Sequence, residues 1–87
     1  MNKDLYNPDG NFEYDGKKIF FRIVDNADPP VKIKGKELVW RNVQYTDERG
    51  FVLFTHRIRQ NLDDLVVTEE MAEAWFLGNI DKVRWDF

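Results

Sequence analysis

The chain has 87 residues, a net charge of -3, no cysteine and, read residue by residue, no serine. That length gives one domain, residues 1–87, with a small core, and the missing cysteines exclude disulfides, thiolate metal sites and thiol catalysis. No apolar run approaches the length needed to span a bilayer, and the opening MNKDLYNPDG contains no signal-peptide core, so a cytoplasmic protein is expected.

Residues 1–10 are polar and carry the turn signal Asn7-Pro8-Asp9-Gly10, which predicts a loosely ordered lead-in. The first firm element is NFEYDGKKIFFRIV. Asp15-Gly16 between alternating runs signals a two-residue type I′ hairpin, whose two central residues both need positive φ. This sets Tyr14 opposite Lys17, Glu13 opposite Lys18 and Phe12 opposite Ile19. Phe12, Tyr14, Ile19, Phe21 and Ile23 then form the buried face, with Glu13, Lys18 and Arg22 outside and Phe20 left on the wet side. Pro29-Pro30 ends the strand, because proline donates no ladder hydrogen bond.

The stretch VKIKGKELV resumes the alternation, with Val31 and Ile33 on one face and Lys32 and Lys34 on the other. Its lysine row marks an edge strand, and Gly35 a bend or tight turn. Residues 37–59 form the main hairpin, ELVWRNVQYTDERGFVLFTHRIR, with Gly50 as the pivot of the turn and a bulge behind it. In its first strand Leu38 and Trp40 fall out of phase with Val43 and Tyr45, which predicts a bulge near Arg41-Asn42. In the second strand Val52, Phe54, His56 and Ile58 lie on one face and Phe51, Leu53, Thr55, Arg57 and Arg59 on the other. A strand apolar on both faces near its start is expected to be central in the sheet.

After Asn61 the period changes. Asp63-Asp64 begins an earlier turn, and Thr68 is placed to cap a helix over about 69–77, with Glu69 and Glu70 favoured by the helix dipole and Gly78 as its stop. Met71, Ala74, Trp75 and Gly78 share one stripe, flanked by Ala72, Phe76 and Leu77, so Trp75 is expected to dock the helix on the sheet. The closing IDKVRWDF alternates and predicts a last strand. The expected fold is α+β: an antiparallel sheet of about five strands, made of two hairpins and the C-terminal strand, with one short helix on one face.

The residue types present bear on chemistry. Without serine or cysteine, the hydroxyl nucleophiles are Thr46, Thr55, Thr68 and the tyrosines, and the one histidine, His56, sits on an apolar strand face as a half-buried packing residue bonded to a backbone group. The acids Asp63, Asp64, Glu69, Glu70 and Glu73 match no calcium-loop spacing, and no glycine-rich phosphate loop is present. The expectation is a chain that is not an enzyme, with no catalytic residues, no cofactor and no metal site. Arg49-Gly50-Phe51 starts like the basic, glycine, aromatic strand of RNA-recognition domains. Val52, Leu53 and His56 then depart from that pattern, and the order of elements differs, so no family follows.

Charge is unevenly placed. Residues 31–60 carry seven basic groups against three acidic, whereas residues 61–87 carry two basic against seven acidic. With aromatics at 15%, this favours a non-catalytic protein-binding module, an inhibitor, immunity-type or accessory protein that occupies another protein's surface. The alternative is single-stranded nucleic-acid binding through the basic hairpin face 31–60, by stacking on aromatics beside arginines. Homo-oligomerisation through an edge strand is compatible with either, and a membrane partner is not expected. The candidate binding residues are Phe20, Trp40, Arg41, Phe51, Arg57 and Arg59.

Overall fold

Two-residue turns, alternating apolar runs and one capped helix assemble into a sheet with a helix across one side. The computed structural model describes residues 8–26 and 28–85. Five antiparallel strands run in order: β1 (Gly10–Tyr14), β2 (Lys17–Asp25), β3 (Val31–Ile33), β4 (Lys36–Thr46) and β5 (Val52–Asn61). The helix α1 (Glu69–Gly78) packs on one face of this sheet, so the molecule is α+β.

The expected hairpin turns form. Asp15 and Gly16 have φ of 52° and 75°, and the β1–β2 register pairs Phe12 with Ile19 and Glu13 with Lys18. Lys34-Gly35 repeats this geometry between β3 and β4, with φ of 50° and 78°. The β4–β5 turn pivots on Gly50, and the acceptor that organises it is Asp47. Its Oδ1 accepts the N–H groups of Arg49 and Phe51 at 2.9 and 3.0 Å, and its Oδ2 takes two hydrogen bonds from the Arg49 guanidinium. Partial burial raises the Asp47 pKa, but these hydrogen bonds and the Arg49 charge outweigh it and leave the carboxyl below its ordinary range.

Strand β4 is the spine of the sheet. Its one edge pairs β5, and its other edge pairs first β2 and then β3. Asp25 lies opposite Arg41 and Val31 opposite Leu38, so five residues separate the two pairs in sequence on one side and only Val39 and Trp40 separate them on β4. The loop with the two prolines thus inserts an odd number of residues, and an odd shift turns every following side chain to the other face of the sheet. Val31 and Ile33 consequently lie on the side opposite Phe21 and Ile23.

The same geometry corrects the bulge expected near Arg41-Asn42. Pairing runs unbroken from Leu38↔Asn61 to Tyr45↔Phe54, and the register shift falls between Tyr45 and Thr46. Leu38 and Trp40 are out of phase with Val43 and Tyr45 because they belong to the opposite face, where Leu38 meets Val31. Nor is β5 central: among the described residues it pairs only β4. Its start is apolar on both sides because Leu53, beside the register shift, is buried, while Val52 stays exposed.

The core lies between sheet and helix, around Phe12, Ile19, Phe21, Val43, Tyr45, Ala72 and Phe76. Thr68 caps α1 as expected, its hydroxyl accepting the N–H of Met71. Two expectations for α1 are corrected. Gly78 is the last helical residue and not a left-handed stop; Asn79 ends the helix instead, its side-chain amide donating to Trp75 O at 2.8 Å. The buried stripe is Ala72 and Phe76, while Ala74 is exposed and Trp75 only half-buried. Alanine at 72 lets the helix backbone approach close enough for the Tyr45 hydroxyl to reach it.

Residues 80–85 do not form the expected C-terminal strand. Ile80–Lys82 make a 3-10 turn, Val83–Trp85 follow without strand pairing, and one bond links Arg84 N to Leu53 O. Val83 is buried in the core instead, while Trp85 stays exposed and lays its ring on Tyr14 at 5.8 Å and edge-on to Phe76 at 5.9 Å. The fifth strand is the short β3. Of the expected lead-in, residues 1–7 lie outside the described residues. Asp9 is held firmly, its N–H on Phe21 O and its carboxylate accepting the N–H of Ile23.

Candidate functional site

With α1 on one side, the other face of the sheet carries no layer of described residues. Along β4 this open face presents Leu38, Trp40, Asn42, Gln44 and Thr46, which alternate with Val39, Arg41, Val43 and Tyr45 on the helix side. On β5 it presents Thr55, Arg57 and Arg59, all exposed.

Trp40 is the centre of the face. Arg59 stands directly opposite it in the register and Arg57, opposite Asn42, is its diagonal neighbour. Their guanidinium carbons lie 5.2 and 4.0 Å from the indole ring centroid, within cation–π range. Arg57 is held a second time by Asp28, 2.5 Å away across the strand. That carboxylate is placed by a tight turn in which Asn26 Oδ1 accepts the N–H of Asp28. Val31 and Ile33, each 38% exposed, continue the apolar surface beyond Leu38. Trp40, Arg57 and Arg59 therefore form one cluster with an aliphatic border.

The other candidate residues do not join it. Arg41 points to the helix side, where its guanidinium bonds Asp25 at 3.2 Å and Gln60 at 3.1 Å with its side chain only 15% exposed. The unbroken parity of β4 decides this. Phe51 sits at the β4–β5 turn under the Arg49 guanidinium. Phe20 is on the open face, with Lys18 over its ring, but lies opposite Thr46. That is six strand positions from Trp40, about 20 Å at the usual rise per residue. A groove of about 310 Å3 adjoins it, lined by Phe20, Arg22, Gln44, Thr46, Arg49 and Val52 among others.

Sequence reasoning missed Asp28, Val31, Ile33 and Leu38 as parts of the face. The proline loop alone gave no signal for them, because the side to which it turns β3 depends on how many β4 residues it spans, which the pairing sets.

His56 is on the helix side, between the rings of Phe54 at 6.0 Å and Trp75 at 5.5 Å. Burial, and secondarily the charge of Lys82, depress its pKa. Among the described residues no group of three His, Asp or Glu could hold a metal ion, and no helix is long and apolar enough to cross a membrane. No known family model, curated protein or solved structure matches the chain.

Proposed function

We propose that this chain is a non-catalytic protein-binding module, of the inhibitor, immunity or accessory kind, which acts by occupying a partner's surface with its open sheet face. The observation that carries the reading is Trp40 with Arg57 and Arg59 laid on it, bordered by Leu38, Val31 and Ile33. Tryptophan and arginine are the residue types that dominate interface energetics, and an aliphatic border excludes water around them. The ring braces both guanidiniums, so less side-chain entropy is lost when a partner arrives.

The basic surplus of residues 31–60 favours a second reading, single-stranded nucleic-acid binding. Two contacts weigh against it. Asp28 already neutralises Arg57, and the guanidiniums lie over the indole that a base would need to stack on.

A photo-crosslinking side chain placed at Val31 on the open face, and separately at Leu77 on the exposed side of the helix, tests the reading in the native cell. A discrete protein adduct from position 31, absent from position 77 and lost in the Trp40→Ala, Arg59→Ala background, is the expected result. Nucleic-acid adducts from position 31, or the same adducts from both positions, would reject it.

A further inference from the structure

Strand β5 offers more than its face. Leu62 N donates to Glu37 O at 2.8 Å, one pair beyond Leu38↔Asn61. In an antiparallel ladder this phase means that from Phe54 onward the even-numbered residues of β5 exchange hydrogen bonds with β4, and the odd-numbered ones turn both N–H and C=O to the outer edge. Leu53 fits the phase, since its carbonyl accepts the N–H of Arg84 from outside the sheet. The next outward residues, Thr55, Arg57 and Arg59, are exposed and have no strand beside them among the described residues.

An open edge of this length is a template for another strand unless it is defended. Here the residues whose backbone is open also carry the two arginines braced by Trp40. Arg59 has no ion pair among the described residues, whereas Arg57 has Asp28. On the other side of the same edge lie His56 and the half-buried Trp75.

We infer that the outer edge of β5, from Thr55 to Arg59, takes an extended acidic segment of a partner protein as an added strand. This rests on the protein-binding reading and names the partner's chemistry. Main-chain hydrogen bonds to Thr55, Arg57 and Arg59 supply affinity, and the side chains flanking the edge supply selectivity. Of two carboxylates at alternate positions of the incoming strand, one faces Arg59 and the other shares Arg57 with Asp28, while the residue between them lies opposite Ile58, beside the rings of His56 and Trp75, and is apolar. The occupant is thus an acid–apolar–acid segment. A second copy of this chain is the poorer occupant, because antiparallel self-pairing across Thr55–Arg59 sets the arginines of the two copies opposite or diagonal to one another.

The test is selection of random peptides of about ten residues, displayed on phage, against the whole chain, followed by amide hydrogen exchange with the enriched peptides bound. Acid–apolar–acid peptides that slow exchange at Thr55, Arg57 and Arg59, and that bind roughly tenfold more weakly to Arg59→Ala and to Arg59→Glu, are expected. Methylating alternate backbone nitrogens of the peptide should remove binding while its charges remain. No enrichment, peptides without the acidic pattern, or binding that leaves those three amides unprotected would overturn the inference. So would a dimer of the chain that protects the same amides. Partner adducts from position 31 that persist while the edge stays unprotected would leave the protein-binding reading standing and remove strand addition alone.

Discussion

The Tyr45 hydroxyl donates to the Ala72 carbonyl oxygen at 2.6 Å, inside the buried layer where sheet and helix meet. Tyr45 is fully buried, and its ring also meets Phe12, Phe54 and Phe76. This one side chain joins β4, the spine of the sheet, to the backbone of the helix.

Tyr45→Phe keeps the ring and removes the hydrogen bond, so unfolding in urea should show a loss of about 1 kcal/mol with an unchanged m-value. Burial also pushes the Tyr45 hydroxyl pKa above its ordinary value of 10.0. The raised folded-state value means that its stabilising contribution is complete below the unfolded value and is lost as pH climbs above it. The wild-type chain should lose stability in that alkaline range, and Tyr45→Phe should lose less.

His56 gives the opposite dependence. Its folded pKa is depressed, first by burial and then by Lys82, so the neutral form is favoured in the folded state. Stability is present above the unfolded value of 6.5 and declines as pH falls through and below it. Urea midpoints taken from about pH 7.5 down to about pH 5.5 should fall for the wild type. The fall should be shallower for His56→Phe, and the imidazole NMR titration should centre below 6.5.

Asp47 holds the β4–β5 turn through hydrogen bonds to Arg49 and Phe51. Asp47→Ala should cost about 1–2 kcal/mol. Asp47→Asn retains an oxygen acceptor for those two N–H groups and should recover part of the loss. Thermal unfolding of both variants checks this.

A side chain at Gly10 would meet a packed ring: a Cβ there comes within 2.6 Å of Phe21 Cζ, in a side chain 1% exposed. Gly10→Ala should destabilise by about 1–3 kcal/mol through overpacking. Pairing it with Phe21→Leu should return part of that in a double-mutant cycle.

Lys34 occupies a left-handed conformation, φ 50°, in the β3–β4 turn. Asparagine tolerates that region better, so Lys34→Asn should raise stability by roughly 0.5 kcal/mol. A higher melting temperature is the readout.

Local chemistry made much of this chain legible. Asp15-Gly16 specified a hairpin and its register because few residues adopt positive φ cheaply, and Thr68 before Glu69-Glu70 marked the helix start because the first N–H groups of a helix need an acceptor. Phe12, Ile19 and Phe21 were assigned to the core by strand alternation alone. Tertiary packing decided the rest. Whether Val83 and Trp85 pair as a strand or fold against Tyr14 and Phe76, and whether Ala72 or Ala74 faces the sheet, depends on neighbours remote in sequence. The separation of Arg41 from Trp40, Arg57 and Arg59 required the true pairing of β4 with β5. Side-chain direction along a strand follows from a count of residues, and only the assembled sheet shows where that count is interrupted, by the loop at 26–30 and the shift beside Thr46.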